Sequence, residues 1–195
     1  MSTLKTNKLV HTANGASEFT LPQTDGSAGQ ILKTDGSGNL SWTTPSKILQ
    51  VVNTQTGAMS TGTTTIPHDN TIPQITEGFE VMTRTITPTN ASNTLLINVV
   101  CHLSASTNSI PTTALFVGTT ADALACTFSH AFGAGDYPKV HNFTHKMTAG
   151  VTSELTFRVR TGSNNSGTTT FNGREQAGSR GGVLASSITI MEVAV

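Results

Sequence analysis

Short stretches of this chain alternate hydrophobic with polar residues, and turn-forming residues separate these stretches. In the segment 94–103, TLLINVVCHL, the apolar residues at odd positions, Cys101 among them, lie on one side, and Leu96 and Val100 lie on the other. This pattern is typical of a central strand that is buried on both faces. The segment 79–87, FEVMTRTIT, alternates in the same way. Because none of the longer stretches of the chain keeps a helical period, we expect little helix.

Further segments have the composition of strands and are separated by clusters of glycine, asparagine, proline or serine: 47–52, 112–117, 123–132, 139–147, 154–160, 168–171 and 183–193. Threonine, which favours strands, is frequent along the whole chain. About eight to ten strands at intervals of about 10 to 15 residues predict an antiparallel β-sandwich of the jelly-roll type. We therefore expect an all-β protein with a jelly-roll-like head domain at 46–195.

Residues 1–45 contain few large apolar side chains. Burying them would not offset the conformational entropy that is lost when the whole segment becomes ordered. The segment therefore needs a partner surface, either copies of itself or a larger protein. We expect residues 1–45 to form an extended N-terminal segment that attaches the chain to another structure and helps to trimerise it.

The segment 21–42, LPQTDGSAGQILKTDGSGNLSW, contains the tetrapeptide TDGS twice and ends on the single tryptophan of the chain. The stretches 30–33 and 40–43 predict two short strands. The residues DGSGN between them supply the positive φ angles that a hairpin turn needs. Asp25–Gly26 predicts a second turn of the same kind ten residues earlier.

One isolated hairpin is marginally stable in water, so we expect this hairpin to associate with others. Three identical hairpins around an axis would bury Ile31, Leu40 and Trp42 against one another. These three residues are the predicted packing and attachment residues of a homotrimer.

Two other interpretations of the second TDGS fail on spacing. A calcium loop of the EF-hand type that began at Asp35 would need glycine at its sixth position and glutamate at its twelfth. Leu40 and Ser46 stand there instead. A phosphate-binding loop would lead into a helix, whereas LSW continues the alternation of a strand. The stretch is therefore predicted to be architecture.

Three stretches of the sequence resemble phage proteins. The segment 21–42 resembles a segment, often repeated, of bacteriophage tail-fibre proteins. MSTLKTN, at 1–7, resembles the start of many small virion proteins of marine phages. The segment 65–99 resembles the start of a C-terminal β-domain found on such phage structural proteins.

The resemblance implies a homotrimeric, non-enzymatic virion protein that is assembled in the host cytoplasm. Residues 1–45 would bind other virion proteins. The head, 46–195, would be displayed outward as a fibre or spike component that binds a glycan or protein of the host surface. The alternative is a capsid decoration protein, of the cement or head-fibre type, that binds and reinforces the capsid shell. Only one copy of the hairpin motif is present, which argues against a long fibre shaft.

Composition and motifs disfavour other classes of function. The formal net charge is +0 and only 11% of the residues are charged, so little basic charge is available for nucleic-acid phosphates. No apolar run reaches the length of a signal peptide or a membrane span, so we expect no membrane insertion. No G-x-S-x-G motif is present, and Asp122, Asp136 and Glu154 are expected to be solvated carboxylates. We expect no enzyme activity and no cofactor.

His141 and His145 would share one face of the strand at 139–147, but about 13 Å apart, too far to share a metal ion within one chain. A three-histidine site on a trimer axis is the alternative. We expect surface or interface histidines and no metal site. Cys101 and Cys126 lie in apolar, strand-like stretches and are expected to be buried, reduced thiols.

Two stretches are candidates for recognition, because binding residues collect on loops between the strands of a rigid scaffold. They are 136–143, DYPKVHNF, and 160–182, which is rich in asparagine, serine and glycine. Either 160–182 is a polar surface for glycan or protein contact, or it is a mobile loop that keeps the surface hydrophilic. The candidate recognition residues in this loop are Asn172, Arg174, Glu175 and Arg180.

Overall fold

In the computed structural model, the chain is described at residues 6–10, 18–132, 137–175, 177–178 and 180–195. Regular structure within these residues consists of antiparallel strands and one short 3-10 turn, Arg180–Gly182. The chain divides into two compact units, Met1–Lys47 and Ile48–Val195.

The N-terminal unit contains four short strands, which are β1 (Lys8–Val10), β2 (Glu18–Thr20), β3 (Ile31–Thr34) and β4 (Leu40–Thr43). β1 pairs with β2 and β3 pairs with β4, both antiparallel. The second pair is the hairpin that the sequence predicts.

The second unit holds the remaining strands, which are β5 (Ile48–Thr56), β6 (Ser60–Gly62), β7 (Phe79–Ile86), β8 (Thr94–Ala105), β9 (Asn108–Ser109), β10 (Pro111–Val117), β11 (Ala125–Phe128), β12 (Ala131–Phe132), β13 (Lys139–Thr148), β14 (Leu155–Ser163), β15 (Thr169–Phe171), β16 (Gly173–Arg174), β17 (Ala177–Gly178) and β18 (Ser186–Val193). The larger sheet has the order β5-β18-β8-β15-β6, and β13 also pairs with β8. The smaller main sheet has the order β11-β10-β14-β7. The predicted all-β, jelly-roll-like sandwich is confirmed.

β8 is the central strand of the larger sheet, as predicted. Its side chains that face the other sheet are fully buried: Leu95, Ile97, Val99, Cys101 and Leu103. Leu96 and Val100, on the opposite face, are only half-buried. The strand is therefore central, but in the described structure the face that carries Leu96 and Val100 is only half-buried.

The core between the two sheets is apolar. From the smaller sheet, Leu115, Phe157 and Val159 pack against the buried face of β8. Each side chain of this size contributes about 1.5 to 3 kcal/mol when it is fully buried. The sandwich therefore has a core of its own, built from residues of the second unit.

One carboxylate is buried in the second unit. Glu192 is 0% exposed. Its side chain accepts hydrogen bonds from Asn93 Nδ2 and Gln50 Nε2, both at 2.6 Å, and from the backbone N and Oγ1 of Thr89, both at 2.8 Å. Burial alone would raise the pKa of Glu192, but these hydrogen bonds lower it to about 2. The ionised side chain thus ties β18 to β5 and to the turn before β8.

The turn between β3 and β4 follows the predicted chemistry. Gly36 and Gly38 have φ angles of 82° and 90°. The carboxylate of Asp35 accepts hydrogen bonds from the backbone N of Ser37 at 2.8 Å and from Asn39 Nδ2 at 2.7 Å. Bonds from Asn39 and Ser37 lower the pKa of Asp35. The carboxylate closes the turn, which is the architectural role predicted for this stretch.

The predicted turn at Asp25–Gly26 is wrong. The chain turns instead after Ser27, where Gln30 N donates to Ser27 O at 3.1 Å and Gly29 has a φ of 85°. Gly26 lies against the ring of Trp42, where any Cβ would overlap the indole. The first TDGS therefore packs against the tryptophan. The indole Nε1 also donates a hydrogen bond to Thr24 O at 2.8 Å.

The register of the hairpin corrects one further expectation. Leu32 pairs with Trp42, and Thr34 pairs with Leu40, so Leu32, Leu40 and Trp42 lie on one face. Ile31 lies on the other face. The three predicted packing residues therefore do not form a single surface within one hairpin, and Leu32 takes the position that was predicted for Ile31.

Candidate recognition cleft

The predicted recognition loop 160–182 is in large part regular structure. The end of β14 and the whole of β15 lie within it, and a small hairpin follows in which Gly173 pairs with Gly178 and Arg174 with Ala177. At Gly173 any Cβ would overlap the carbonyl oxygen of Ala177. Glycine therefore allows the two strands of the hairpin to approach, and this approach fixes the position of Arg174.

A cleft of about 580 Å³ lies beside this hairpin. Its volume falls in the range of small-molecule sites, about 300 to 1,000 Å³. The lining combines two guanidinium groups with aromatic, aliphatic and backbone surface. The lining residues are Tyr137, Pro138, Arg174, Gly178, Arg180 and Leu184.

Arg174 is the best-positioned polar side chain of the cleft. Its guanidinium lies over the ring of Tyr137, 4.5 Å from the ring centroid, a cation–π arrangement. Its Nη2 lies 3.3 Å from Oε1 of Glu175. Its Nε is buried and has no hydrogen-bond partner among the described residues. A buried donor without a partner costs about 1 to 3 kcal/mol, so Arg174 retains an unused capacity to bind an acceptor.

The backbone around the cleft is held in an uncommon conformation. Glu175 has a φ of 52° and Arg180 a φ of 56°. Residues with a Cβ are uncommon in this left-handed region, and such residues occur preferentially at ligand sites. Arg180 begins a turn that Gly181 and Gly182 complete with positive φ angles. No ion pair of Arg180 occurs within the described ranges of the chain.

Asn172 does not belong to the cleft, although the sequence groups it with Arg174. It is 0% exposed. Its Nδ2 donates to the backbone oxygens of Thr56 at 2.7 Å and Ala58 at 3.2 Å, and its Oδ1 accepts from Ser186 Oγ at 2.6 Å. Asn172 therefore joins the end of β15 to β5 and β18, and its role is structural.

Sequence reasoning missed part of the lining. Tyr137 and Pro138 fall in the predicted stretch 136–143 but were not singled out there. Tyr137 is the only tyrosine of the chain, and its position in a predicted recognition stretch is the signal that could have identified it. Leu184 carries no such signal, because an isolated leucine before a strand is ordinary. Asp136 lies outside the described residues.

His141 is buried inside the sandwich. It is 2% exposed, and its Nδ1 and Nε2 lie 2.8 Å from Thr113 Oγ1 and from Ser129 Oγ, respectively. Burial lowers the pKa of His141 to about 4, so the ring is neutral near pH 7. The prediction of a surface or interface histidine is wrong for His141. A side chain directed into the core cannot meet its copies on a trimer axis.

The other predicted polar residues do not assemble into a site. Asp122 and Glu154 are exposed, and Asp122 accepts a hydrogen bond from Gln74 Nε2 at 2.9 Å. No group of three metal-ligating side chains is found among the described residues. Within the same part of the chain, no helix is both long and apolar enough to cross a bilayer.

The two cysteines differ. Both are free thiols. Cys101 is buried, and burial raises the pKa of its thiol to about 12. Cys126 is exposed, so the expectation that it is buried is wrong. Its strand, β11, lies at the edge of the smaller sheet, where alternate side chains face outward.

Several solved structures are similar to this chain. The C-terminal domain of EclA, a sugar-binding protein, has 16% identity and a TM-score of 0.35, over 58% of this chain and 73% of that one. Eiger TNF from S. frugiperda has 11% identity and a TM-score of 0.41, over 74% and 93%. The VP2 subviral particle of infectious bursal disease virus has 10% identity and a TM-score of 0.32, over 80% and 40%.

A search of curated proteins finds no match. The family model of the Pgp3 C-terminal domain, in contrast, matches residues 53–195. The matched range contains every strand from β6 to β18, the second half of β5, and all residues of the cleft. On this match, which spans well over half of its length, the chain belongs to the Pgp3 C-terminal domain family.

Proposed function

We propose that this chain is a non-enzymatic, homotrimeric structural protein of a phage particle, of the tail-fibre or spike type. Its N-terminal unit binds other virion proteins, and its β-sandwich head is displayed outward for attachment to a host surface. One observation carries the proposal: a hairpin that resembles those of fibre proteins, with exposed apolar side chains, precedes a β-sandwich of the Pgp3 C-terminal domain family.

The hairpin supports self-association. Leu32 is 43% exposed and Trp42 is 36% exposed on one face, and Ile31 is 50% exposed on the other. Large apolar side chains grouped in so small a unit favour contact with another surface. Packing against copies of the same hairpin removes these side chains from water.

The outer face of the larger sheet, formed by the outward side chains of β5, β18, β8 and β13, supports a trimer of heads. Val51, Met191 and Leu96 form one cross-strand row on this face. In the next row, the polar side chain of Asn98 donates to its neighbour Thr144 Oγ1 at 3.1 Å. Among the outward-facing side chains of these four strands, Lys146 is the only one that carries a full charge. Depletion of charge is typical of the core of a protein–protein interface.

A capsid decoration protein is the second candidate. One observation favours it over a tail fibre: the sequence carries the hairpin motif once, which argues against a long repeated shaft. In that case the N-terminal unit binds the capsid shell and the head reinforces or decorates it. The two candidates share the trimer and differ in copy number and location.

Light scattering on the purified chain tests the trimer. A chain of 20.3 kDa gives a trimer of about 61 kDa. Quantitative gels of purified virions then separate the two candidates, because a decoration protein follows the many equivalent positions of a capsid whereas a tail fibre is present in few copies. A monomer in solution, together with absence of the chain from purified virions, would refute the proposal.

A further inference from the structure

We propose that the cleft between Tyr137 and the β16–β17 hairpin binds the acidic group of a charged saccharide. The proposal rests on the proposed function and deepens it, since it names the class of ligand that the displayed head recognises. The acidic group is a carboxylate or a sulfate on a sugar ring.

Two arginines supply the recognition of the acidic group. Arg174 and Arg180 both line the cleft. A guanidinium presents a planar fork of donors that matches the oxygens of an acidic group. Arg174 already places one amino group 3.3 Å from the carboxylate of Glu175, and Arg180 has no ion-pair partner within the described residues. Among the described residues, the two guanidinium groups therefore have more donors than Glu175 uses.

The unpartnered Nε of Arg174 gives the site its direction. This atom is buried and bonds to no described group. The contact with Tyr137 holds the guanidinium plane in place, so the terminal amino groups are positioned before an acceptor binds. A ligand oxygen reaches Nε only when the Arg174 side chain shifts, and such a shift satisfies a donor which the folded protein leaves unsatisfied.

The remaining lining fits the ring of a sugar. Tyr137 is 65% exposed, and Pro138 and Leu184 add apolar surface beside it. A saccharide presents apolar C–H groups on a ring and hydroxyl or acidic groups at its edge. Such a ligand matches a wall that is aromatic and aliphatic on one side and rich in donors on the other. An inorganic anion would use the arginines alone and leave this wall uncovered.

Calorimetric titration of the full-length chain with three probes tests the proposal. The probes are lactose, sialyllactose, which adds a carboxylate, and lactose 6-sulfate, which adds a sulfate. We expect at least one acidic probe to bind at least tenfold more tightly than lactose. Arg174→Gln and Arg180→Gln should each weaken that binding by about tenfold or more, because hydrogen bonds to charged groups are lost. Lys47→Gln, which removes an exposed positive charge outside the cleft, should bind like the parent chain.

Each outcome is decisive. Binding of the carboxylated probe alone, of the sulfated probe alone, or of both supports the proposal and identifies the group. The proposal is overturned if lactose binds as tightly as the acidic probes, or if neither acidic probe binds at millimolar concentration. It is also overturned if both arginine variants bind the acidic probe as tightly as the parent chain does. A glutamate-rich peptide, titrated as a further control, overturns the proposal as well if it binds more tightly than both acidic sugars.

Two controls separate folding and assembly from recognition. Circular dichroism shows whether the hairpin tolerates Arg174→Gln, and Arg180→Gln provides a second test outside the strands. If the cleft binds no acidic sugar while the chain is trimeric and present in virions, this inference fails and the proposed function stands. A monomeric chain absent from virions refutes the proposed function whatever the cleft binds.

Discussion

Replacing the buried carboxylate of β18 tests how the head is held together. Glu192→Gln keeps the size of the side chain but removes its charge and turns one acceptor into a donor. Asn93 Nδ2 or Gln50 Nε2, each 2.6 Å from the carboxylate, would then face another donor. Loss of a hydrogen bond to a charged group costs about 1.5 to 3 kcal/mol. We therefore expect the free energy of unfolding to fall by about 2 kcal/mol near pH 7.

The effect should depend on pH with a defined sign. The pKa of Glu192 is lowered from 4.5 to about 2 by folding, so the charged form stabilises the folded state. This contribution is fully present above about pH 5 and is lost as the pH falls through about 2. The difference between parent and Glu192→Gln should therefore be constant at neutral pH and should shrink below about pH 4.

Urea denaturation followed by far-ultraviolet circular dichroism measures this difference at a fixed protein concentration. In a thermal melt, about 2 kcal/mol corresponds to a shift of about 4 to 8 °C for a domain of this size. Glu154→Gln is the matched control, since Glu154 is exposed and the variant should unfold like the parent chain. If Glu192→Gln is as stable as the parent at pH 7, or equally destabilised at pH 2 and pH 7, our account of the buried carboxylate is wrong.

Three further predictions concern other parts of the chain. Trp42→Ala should abolish incorporation into virions while the head still melts cooperatively; Asp35→Ala should have the smaller effect on incorporation, and a normal complement of Trp42→Ala chains in purified virions would contradict this. Burial lowers the pKa of His141 from 6.5 to about 4, so the melting temperature should fall as the pH drops from about 6.5 to about 4. His141→Phe should flatten this dependence, and equal slopes in both proteins would refute the assignment of His141 as a buried, neutral side chain. A thiol reagent should label Cys126 in the folded chain and reach Cys101 only after unfolding, as mass spectrometry of the labelled peptides would show; rapid labelling of Cys101 would contradict its burial.

Local patterns in the sequence were sufficient to predict much of the fold. The apolar residues on both faces of 94–103 predicted β8 and its central place, because a strand directs successive side chains to opposite faces. The turn at Asp35 was also predictable, since its carboxylate bonds to backbone groups only two and four residues away. The turn predicted at Asp25–Gly26 was wrong, although these two residues are the same as Asp35–Gly36. The contact that decides the conformation of Gly26 is with Trp42, which is distant in sequence.

The cleft was predictable only in part, for the same physical reason. Arg174 and Arg180 were singled out by their charge in a loop of small residues, but Tyr137 joins them through a tertiary contact across 37 positions of the chain. The sequence predicted His141 and Asn172 at the surface, because a polar side chain is expected to be exposed unless its hydrogen-bond partners are known. The partners of His141 lie on other strands or loops, and no spacing in the sequence reveals them.

The two copies of TDGS carry different constraints on mutational drift. In the first copy, Gly26 lies against the indole of Trp42 without room for a side chain, so glycine is required there for its size. In the second copy, Asp35 closes the turn and Gly36 adopts a positive φ, so both residues are required for their conformation. Replacement of Gly26 therefore fails by overlap with the indole, whereas replacement of Gly36, whose Cβ would meet nothing within 4 Å, fails by backbone strain. The same four letters thus serve as two different structural parts.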